Sequence, residues 1–163
     1  MARGYPPSVF SHLPQLLERA GPGGEGQGTI TGIYSVLVDG DDHNDPVADA
    51  VRGTLDGHIV LNRGIDEQGR YPAVDELASL SRLATRVWSP EQVKAVTEMK
   101  RLIARFEETR DLRAMGGYVA GADGELDQAL EVVPKLYQAL SQSLGGPASV
   151  NAFGEIAAAL SGQ

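Results

Sequence analysis

The sequence predicts an α/β region followed by an all-helical region, with domains spanning residues 1–85 and 86–163. Two runs of β-branched and apolar residues, 29–38 and 58–61, flank a segment with helical periodicity. From residue 89 onward, apolar residues recur at spacings of three and four, as in amphipathic helices. Strands separated by a helix are typical of an α/β fold, whereas consecutive helical stripes indicate a helical domain.

The first predicted element is a short amphipathic helix. Leu13, Leu16 and Leu17 lie at helical spacings, and Gly21 ends the pattern. Residues 21–28 are rich in glycine and carry no large apolar side chain. No strand-like run precedes this segment and no lysine follows it, so a mobile surface loop is favoured over a phosphate-binding loop.

Residues 29–38 are predicted to form a strand that is buried on both faces. The run is almost continuously apolar and rich in β-branched side chains, as in the central strands of α/β sheets. Such a strand needs neighbours on both sides, and no other segment of the chain supplies them. The first half therefore looks like the end of a larger domain.

A helix and a second strand complete the predicted strand–helix–strand unit over residues 29–61. Asp45 has the position of an N-cap and Pro46 that of the first helical residue. The helix extends to Leu55, and residues 58–61 form the short second strand. Residues 62–83 are irregular and punctuated by glycine and proline, a pattern typical of functional loops.

The second half is predicted to contain three helices. Ser89 begins the first with a capping-box spacing, and the helix is expected to end at Gly116. The second covers residues 126–140, with Pro134 expected to bend or shorten it. Ser149 is expected to cap the last helix.

Composition excludes several classes of protein. The chain has 163 residues, a formal net charge of −8 and no cysteine. The charge has the wrong sign for a protein that binds phosphate backbones, so nucleic acid is not an expected partner. Without cysteine there are no disulfides, thiolate metal sites or cysteine nucleophiles. No apolar run is long enough for a membrane span, and a cytoplasmic location is predicted.

Most chemical motifs are absent or have a structural explanation. The acidic residues 39–45 lack the ligand alternation of a calcium loop, so a solvated turn with a helix cap is favoured. The chain contains no GxxxxGK[ST] segment and no GxSxG segment. The histidines lack the spacing of a metal site, and no metal site is predicted; they are His12, His43 and His58.

Several motifs, in order along nearly the whole chain, carry a family resemblance. They include Arg3-Gly-Tyr-Pro-Pro7, Val38-Asp-Gly-Asp-Asp-His-Asn-Asp-Pro46, Tyr71-Pro-Ala-Val-Asp75 and Leu80-Ser-Arg82. The chain thereby resembles the C-terminal part of the flagellum-specific and type III secretion ATPases, which are relatives of the rotary ATP synthase catalytic subunits. The resemblance implies the end of a RecA-like nucleotide-binding core followed by a helical C-terminal domain.

The resemblance implies two roles in nucleotide chemistry. Tyr71 matches the tyrosine that the family stacks against the adenine ring of ATP. Arg82 matches the arginine finger, which reaches the phosphates bound by the neighbouring subunit and therefore implies a ring, expected to be a hexamer. In the rotary relatives the second wall of the adenine pocket is aromatic, and the matching stretch here offers Leu144.

Two acidic segments match family elements that face partners. Residues 41–46 match a loop facing the central channel of the ring, and residues 121–127 match a lever between two C-terminal helices. The implied partners are a coiled-coil central stalk, export chaperones and the membrane export gate, at the inner face of the membrane. The residues carried over are Asp41, Asp42, His43, Asn44, Asp45, Asp123, Glu125 and Asp127.

The family's phosphate loop, catalytic glutamate and magnesium-associated aspartate all lie upstream of the Arg-Gly-Tyr-Pro-Pro motif, where this chain begins. ATP and Mg²⁺ are therefore expected for a full-length protein that couples hydrolysis to flagellar or type III protein export. This chain alone is expected neither to bind them tightly nor to hydrolyse ATP. The alternative is a non-catalytic module that binds a basic stalk or chaperone, which the charge of −8 would favour.

Overall fold

A computed structural model describes residues 5–38 and 45–161. The chain divides into two units between His58 and Ile59. The predicted domain boundary near residue 85 is separate from this division and stays a prediction. In chain order the elements are α1 (Ser8–Leu17), β1 (Gly21–Pro22), β2 (Thr29–Ile30), α2 (Pro46–Thr54), β3 (Gly57–Leu61), α3 (Arg63–Asp66), β4 (Val74–Ser81), α4 (Ala84–Val87), α5 (Pro90–Glu108), α6 (Arg110–Ala114), α7 (Gly124–Leu140) and α8 (Ala152–Ser161).

In the first unit, α1 packs against α2 and the two predicted helices are confirmed. Leu17, Ala48 and Val51 are buried between them. Asp45 caps α2, since its carboxylate oxygen accepts from the amides of Val47 at 2.8 Å and Ala48 at 3.1 Å. Pro46 occupies the first turn, where its missing N–H leaves no hydrogen bond unmade.

The predicted strand over residues 29–38 is wrong. Only Thr29 and Ile30 are paired, and they pair antiparallel with Gly21 and Pro22 at the ends of the glycine-rich loop. Residues 31–38 have no regular structure, and Ile33 is 94% and Leu37 93% exposed. A buried strand forms only when other strands satisfy its backbone groups, and the described residues provide none beside this run.

The predicted strand at residues 58–61 is confirmed as β3, but its neighbour was not predicted. β3 pairs with β4, which lies in the stretch predicted to be irregular, so the strand–helix–strand unit is also wrong. The pairing includes a side chain, because the amide of Val60 donates to Ser79 Oγ at 3.0 Å. Ile59 and Leu61, on one face of β3, are 75% and 70% exposed.

The helical part has one apolar core between α5, α7 and α8. Its fully buried members are Leu102, Ile103, Ala129, Val133 and Leu136. Ser89 caps α5 in the predicted capping box, with Ser89 Oγ accepting from the Gln92 amide at 3.3 Å and Gln92 Oε1 accepting from the Ser89 amide at 2.9 Å.

Two helix boundaries, the end of α5 and the start of α8, differ from the prediction, and so does the effect of Pro134. The helix that begins at Ser89 ends at Glu108 instead of Gly116, and α6 follows it. Pro134 does not shorten α7: the residue is exposed, and the helix continues through it to Leu140 at the cost of the hydrogen bond that the missing N–H would make. Asn151, not Ser149, begins α8, since its side-chain oxygen accepts from the Gly154 amide at 3.1 Å. None of the helices in the described part of the chain is long and apolar enough to cross a membrane.

Candidate functional site

Tyr71 lies in the loop between α3 and β4, at the edge of a small open cleft. Asn62 begins α3 by accepting from the Gly64 amide at 2.8 Å, and Gly69 ends the turn after it with φ of +73°, a conformation that favours glycine. The Tyr71–Pro72 peptide bond is cis, and the tyrosine side chain is 52% exposed. The cleft has a volume of about 180 Å³, and its lining residues are Arg70, Tyr71, Pro72, Val74, Glu76, Tyr137, Leu140, Ser141 and Gln142.

A backbone hydrogen bond holds Tyr71 in place. Its carbonyl oxygen accepts from the Gln142 amide at 2.7 Å, which ties the loop to the residues just after α7. The negative carboxylate of Asp66 favours the protonated phenol and raises the pKa of Tyr71. The phenol is therefore neutral at physiological pH, and its ring presents an accessible face beside the cleft.

The lining of the cleft also contains a cation stacked on an aromatic ring. The Arg70 guanidinium carbon lies 3.4 Å from the centroid of the Tyr137 ring, and Arg70 Nη2 is 2.8 Å from Glu76 Oε1. Tyr137 donates its hydroxyl to Glu107 Oε1 at 2.7 Å. Because guanidinium and ring are both partly shielded from water, this contact is stronger than an exposed one.

Burial, followed by the hydrogen bond to Glu107, raises the pKa of Tyr137 above its ordinary value of 10.0. The folded state therefore holds the Tyr137 proton more tightly than the unfolded chain does. The contribution of this protonated group to the free energy of unfolding is present in full below pH 10.0 and is lost as the pH rises beyond that value.

We expect a tyrosinate absorbance titration of the folded chain to leave one tyrosine protonated after the others have ionised, until the helical part unfolds. The Tyr137→Phe variant should lack this late step and lose less stability between neutral and alkaline pH. A parent chain in which every tyrosine ionises before unfolding would contradict the described environment of Tyr137.

Arg82 follows directly after β4 and is exposed. Ser79 fixes the end of this strand: its hydroxyl donates to the Asp75 carbonyl oxygen at 2.6 Å, and its own carbonyl oxygen accepts from Lys100 Nζ at 2.9 Å. Arg82 does not line the cleft beside Tyr71. The structure thus places the two residues before and after one strand and does not bring them together in one site.

The predicted acidic residues at the start of α7 all bond within the chain. Asp123 caps α7 and its carboxylate lies 2.6 Å from Arg105 Nη2, which lowers the pKa of Asp123. Glu125 pairs with Arg101. Asp127 accepts from the Tyr118 hydroxyl at 2.5 Å and from the Gly121 amide at 2.9 Å. These carboxylates hold the turn in shape, and their partner-facing role stays a prediction.

The other predicted partner-facing residues are mostly outside the described residues: Asp41, Asp42, His43 and Asn44. Asp45 is described, and it is 8% exposed because its side chain caps α2. Across residues 5–38 and 45–161, no group of three or more histidine, aspartate or glutamate side chains is placed to hold a metal ion.

The structure and the sequence disagree about the second wall of the cleft. Leu144, which the resemblance placed there, is fully exposed and does not line the cleft. Leu140, Ser141 and Gln142 lie there instead, because α7 continues through Pro134 to Leu140. Sequence reasoning also missed Arg70 and Tyr137. No local signal joins them, since the contact forms only when α7 packs beside the loop.

Two family models match the chain in succession. Residues 1–81 match the nucleotide-binding domain of the ATP synthase alpha/beta family, and residues 88–157 match the C-terminal domain of the type III secretion ATPase EscN. Both agree with the predicted fold class, the end of a RecA-like core followed by a helical domain.

Individual relatives agree with these models. The flagellum-specific ATP synthase of Rhizobium meliloti is 61% identical over 160 residues, which are 98% of this chain and 34% of that protein. The one from Agrobacterium fabrum is 59% identical over 162 residues, 99% of this chain and 34% of the relative. The chain thus spans about a third of the length of the curated relatives it matches.

Solved structures agree as well. The assembled ATPase EscN from the enteropathogenic E. coli type III secretion system has a TM-score of 0.89 at 40% identity, over 96% of this chain and 38% of that one. EscN in complex with its central stalk EscO has a TM-score of 0.82 at 39% identity, over 96% of this chain and 37% of that one.

Proposed function

We propose that this chain supplies the part of a ring-forming protein-export ATPase that binds the nucleotide base and carries the arginine finger. The basis is that the chain belongs to the flagellum-specific and type III secretion ATPase family. The ATPase would hydrolyse ATP in the cytoplasm, at the inner face of a membrane export apparatus. The observation that carries the proposal is the half-exposed Tyr71 ring, fixed at the edge of a cleft within a chain that matches both family models in order.

Tyr71 would bind the base. An aromatic face stacks on any base, and such stacking contributes about 1–3 kcal/mol per base. The anchored backbone and the neutral phenol keep the ring in place before nucleotide arrives, which reduces the entropy lost on binding. The partly apolar cleft next to the ring, with Val74 and Leu140 in its lining, offers the base a second surface.

Arg82 would act on the nucleotide of the neighbouring subunit. It lies outside the Tyr71 cleft and at the other end of β4, so one subunit would offer its base site and its guanidinium to different nucleotides. A guanidinium stays charged at all relevant pH values and meets the spreading charge of phosphoryl transfer with a forked set of donors. This arrangement requires a ring. We propose a hexamer that surrounds a coiled-coil stalk and also contacts export chaperones and the export gate.

The groups that hold the β- and γ-phosphates and Mg²⁺ are not provided by this chain, which contains no GxxxxGK[ST] segment. Bound ATP supplies the phosphoryl group that is transferred to water. Without a phosphate cradle the finger has no charge to stabilise, so the chain alone would not hydrolyse ATP.

The test uses a chimera in which this chain replaces the matching C-terminal third of the Rhizobium meliloti relative. Tyr71→Ala is expected to raise KM for ATP by about 10- to 100-fold, which corresponds to the stacking free energy, with little change in kcat. Tyr71→Phe should retain most of the affinity, since it keeps the ring and removes only the hydroxyl. The measurement is steady-state phosphate release.

An unsubstituted chimera that assembles without hydrolysing ATP would overturn the proposed function. If the Tyr71→Ala chimera hydrolysed ATP with an unchanged KM, the assignment of Tyr71 to base binding would be wrong.

A further inference from the structure

The contact between Arg70 and Tyr137 joins the base-binding loop to the helical domain. We propose that Arg70 and Tyr137 are positioning residues that hold Tyr71 in its base-binding orientation and thereby set the affinity for the nucleotide base. The inference rests on the proposed function, because it assigns a role to the surroundings of the same cleft.

The loop that carries Tyr71 is held through the residue before it. Arg70 directly precedes Tyr71, and its guanidinium is held from two sides, by the ring of Tyr137 at 3.4 Å and by Glu76 Oε1 at 2.8 Å. The Arg70 and Glu76 side chains are only 19% and 22% exposed, so the pair is more shielded than a surface ion pair. With Arg70 fixed on one side of Tyr71 and Gln142 bonded to the Tyr71 carbonyl oxygen, the backbone that carries the ring has little freedom to rotate.

Tyr137 is itself fixed. Its hydroxyl is bonded to Glu107 on α5, and the Phe106 ring meets it edge-on with centroids 6.2 Å apart. The ring that supports Arg70 is thus held by two residues of α5 and by the packing of α7. The connection runs from α5 through Tyr137 and Arg70 to Tyr71.

Tyr71 has few other supports. It is half exposed, and no other ring stacks on it among the described residues. The Arg70–Tyr137 contact and the Gln142 bond are the contacts that fix its backbone. Removing the Tyr137 ring would leave Arg70 with a single partner and allow the loop to sample orientations that do not stack on a base.

The experiment measures the Kd of a fluorescent ATP analogue together with kcat and KM for ATP in the chimera. Tyr137→Leu and Arg70→Met should each weaken binding and raise KM by about tenfold, as expected for losing one shielded cation–aromatic contact, with kcat unchanged. Tyr137→Phe keeps the ring beneath Arg70 and should restore most of the affinity.

Phe153→Leu is the matched control. Phe153 is a half-buried aromatic residue of the same helical part, and its edge-on contact with Trp88 at 5.7 Å lies outside the cleft lining. A role limited to stability would make Tyr137→Leu and Phe153→Leu alike, with lower melting temperatures and unchanged Kd. That result, or a Tyr137→Leu chimera that loses kcat at constant Kd, would overturn the inference.

The two proposals fail separately. If the unsubstituted chimera binds the analogue but hydrolyses no ATP, the proposed function fails, while the Kd values still decide whether Arg70 and Tyr137 position Tyr71. If it hydrolyses ATP and all the variants bind with equal Kd, only the positioning role is wrong.

Discussion

Replacing Arg82 with alanine is expected to lower kcat for ATP hydrolysis in the chimera by about 10³–10⁵-fold, the range that arginine fingers contribute in related nucleotide hydrolases. The Kd for ATP should stay nearly unchanged, because the finger acts on charge that develops only in the transition state. Arg82→Lys should recover only part of the rate, since a lysine keeps the charge but lacks the fork of donors. Phosphate release measures the rate, and the fluorescent analogue measures binding.

Arg86→Ala provides the control for this substitution. Arg86 is an exposed arginine of the short helix α4, and it lies just beyond the strand end that carries Arg82. Its loss should leave kcat within twofold of the parent, about 0.4 kcal/mol in activation free energy. Equal losses for Arg82→Ala and Arg86→Ala would show that the region tolerates no charge removal, and the finger assignment would have to be abandoned.

The second large effect concerns the helical core. Leu136 is 1% exposed and packs in the cluster between α5 and α7, so Leu136→Ala should lower the free energy of unfolding by about 2–5 kcal/mol. Trp88 is the only tryptophan of the chain and touches Phe153, so its fluorescence during urea unfolding reports on the helical part. The isolated chain is suitable for this measurement.

Leu144→Ala is the matched control, because it removes the same side chain from a fully exposed position. Its effect should be within about 0.5 kcal/mol. A Leu136→Ala chain with the urea midpoint of the parent would mean that the core between α5 and α7 does not stabilise the helical part.

Helix starts could be predicted from the sequence because capping is local. Asp45 and Ser89 each accept a hydrogen bond from an amide two or three residues ahead, so the signal and the structure lie within one turn. The start of α8 shows the limit of this logic. Asn151 and Ser149 are both suitable caps, and packing of α8 against α7 decides which is used.

Strands could not be predicted equally well because their partners are distant in sequence. Residues 29–38 have the composition of a buried strand, yet they are largely exposed, because a strand forms only where a neighbouring strand pairs with its backbone. β4 was not predicted because the polar residues Asp75 and Ser79 interrupt its apolar pattern. Both side chains accept hydrogen bonds from backbone amides. Asp75 accepts from the Ala78 amide at 2.9 Å, and Ser79 accepts from the Val60 amide at 3.0 Å.

Some residues of the candidate site could be identified from the sequence, and others could not. Tyr71 and Arg82 were assigned by motif resemblance, and the structure adds that one is fixed beside a cleft and the other follows β4. The acids at the start of α7 were assigned to a partner, whereas two of them, Asp123 and Glu125, pair with Arg105 and Arg101 within the chain. This pairing reduces the negative surface on which the non-catalytic alternative depends. Arg70 and Tyr137 could not be found from the sequence, since only the packing of α7 beside the loop joins them.

Arg82 is proposed to act on the nucleotide of a neighbouring subunit, and mixing two inactive chimeras tests this role in trans. One carries Arg82→Ala, and the other lacks the phosphate-loop lysine of the Rhizobium meliloti part. In mixed rings an intact nucleotide site of the Arg82→Ala chimera would face the intact Arg82 of the other chimera. Mixing is therefore expected to restore hydrolysis. Mixed rings that form but stay as inactive as either chimera alone would contradict the claim.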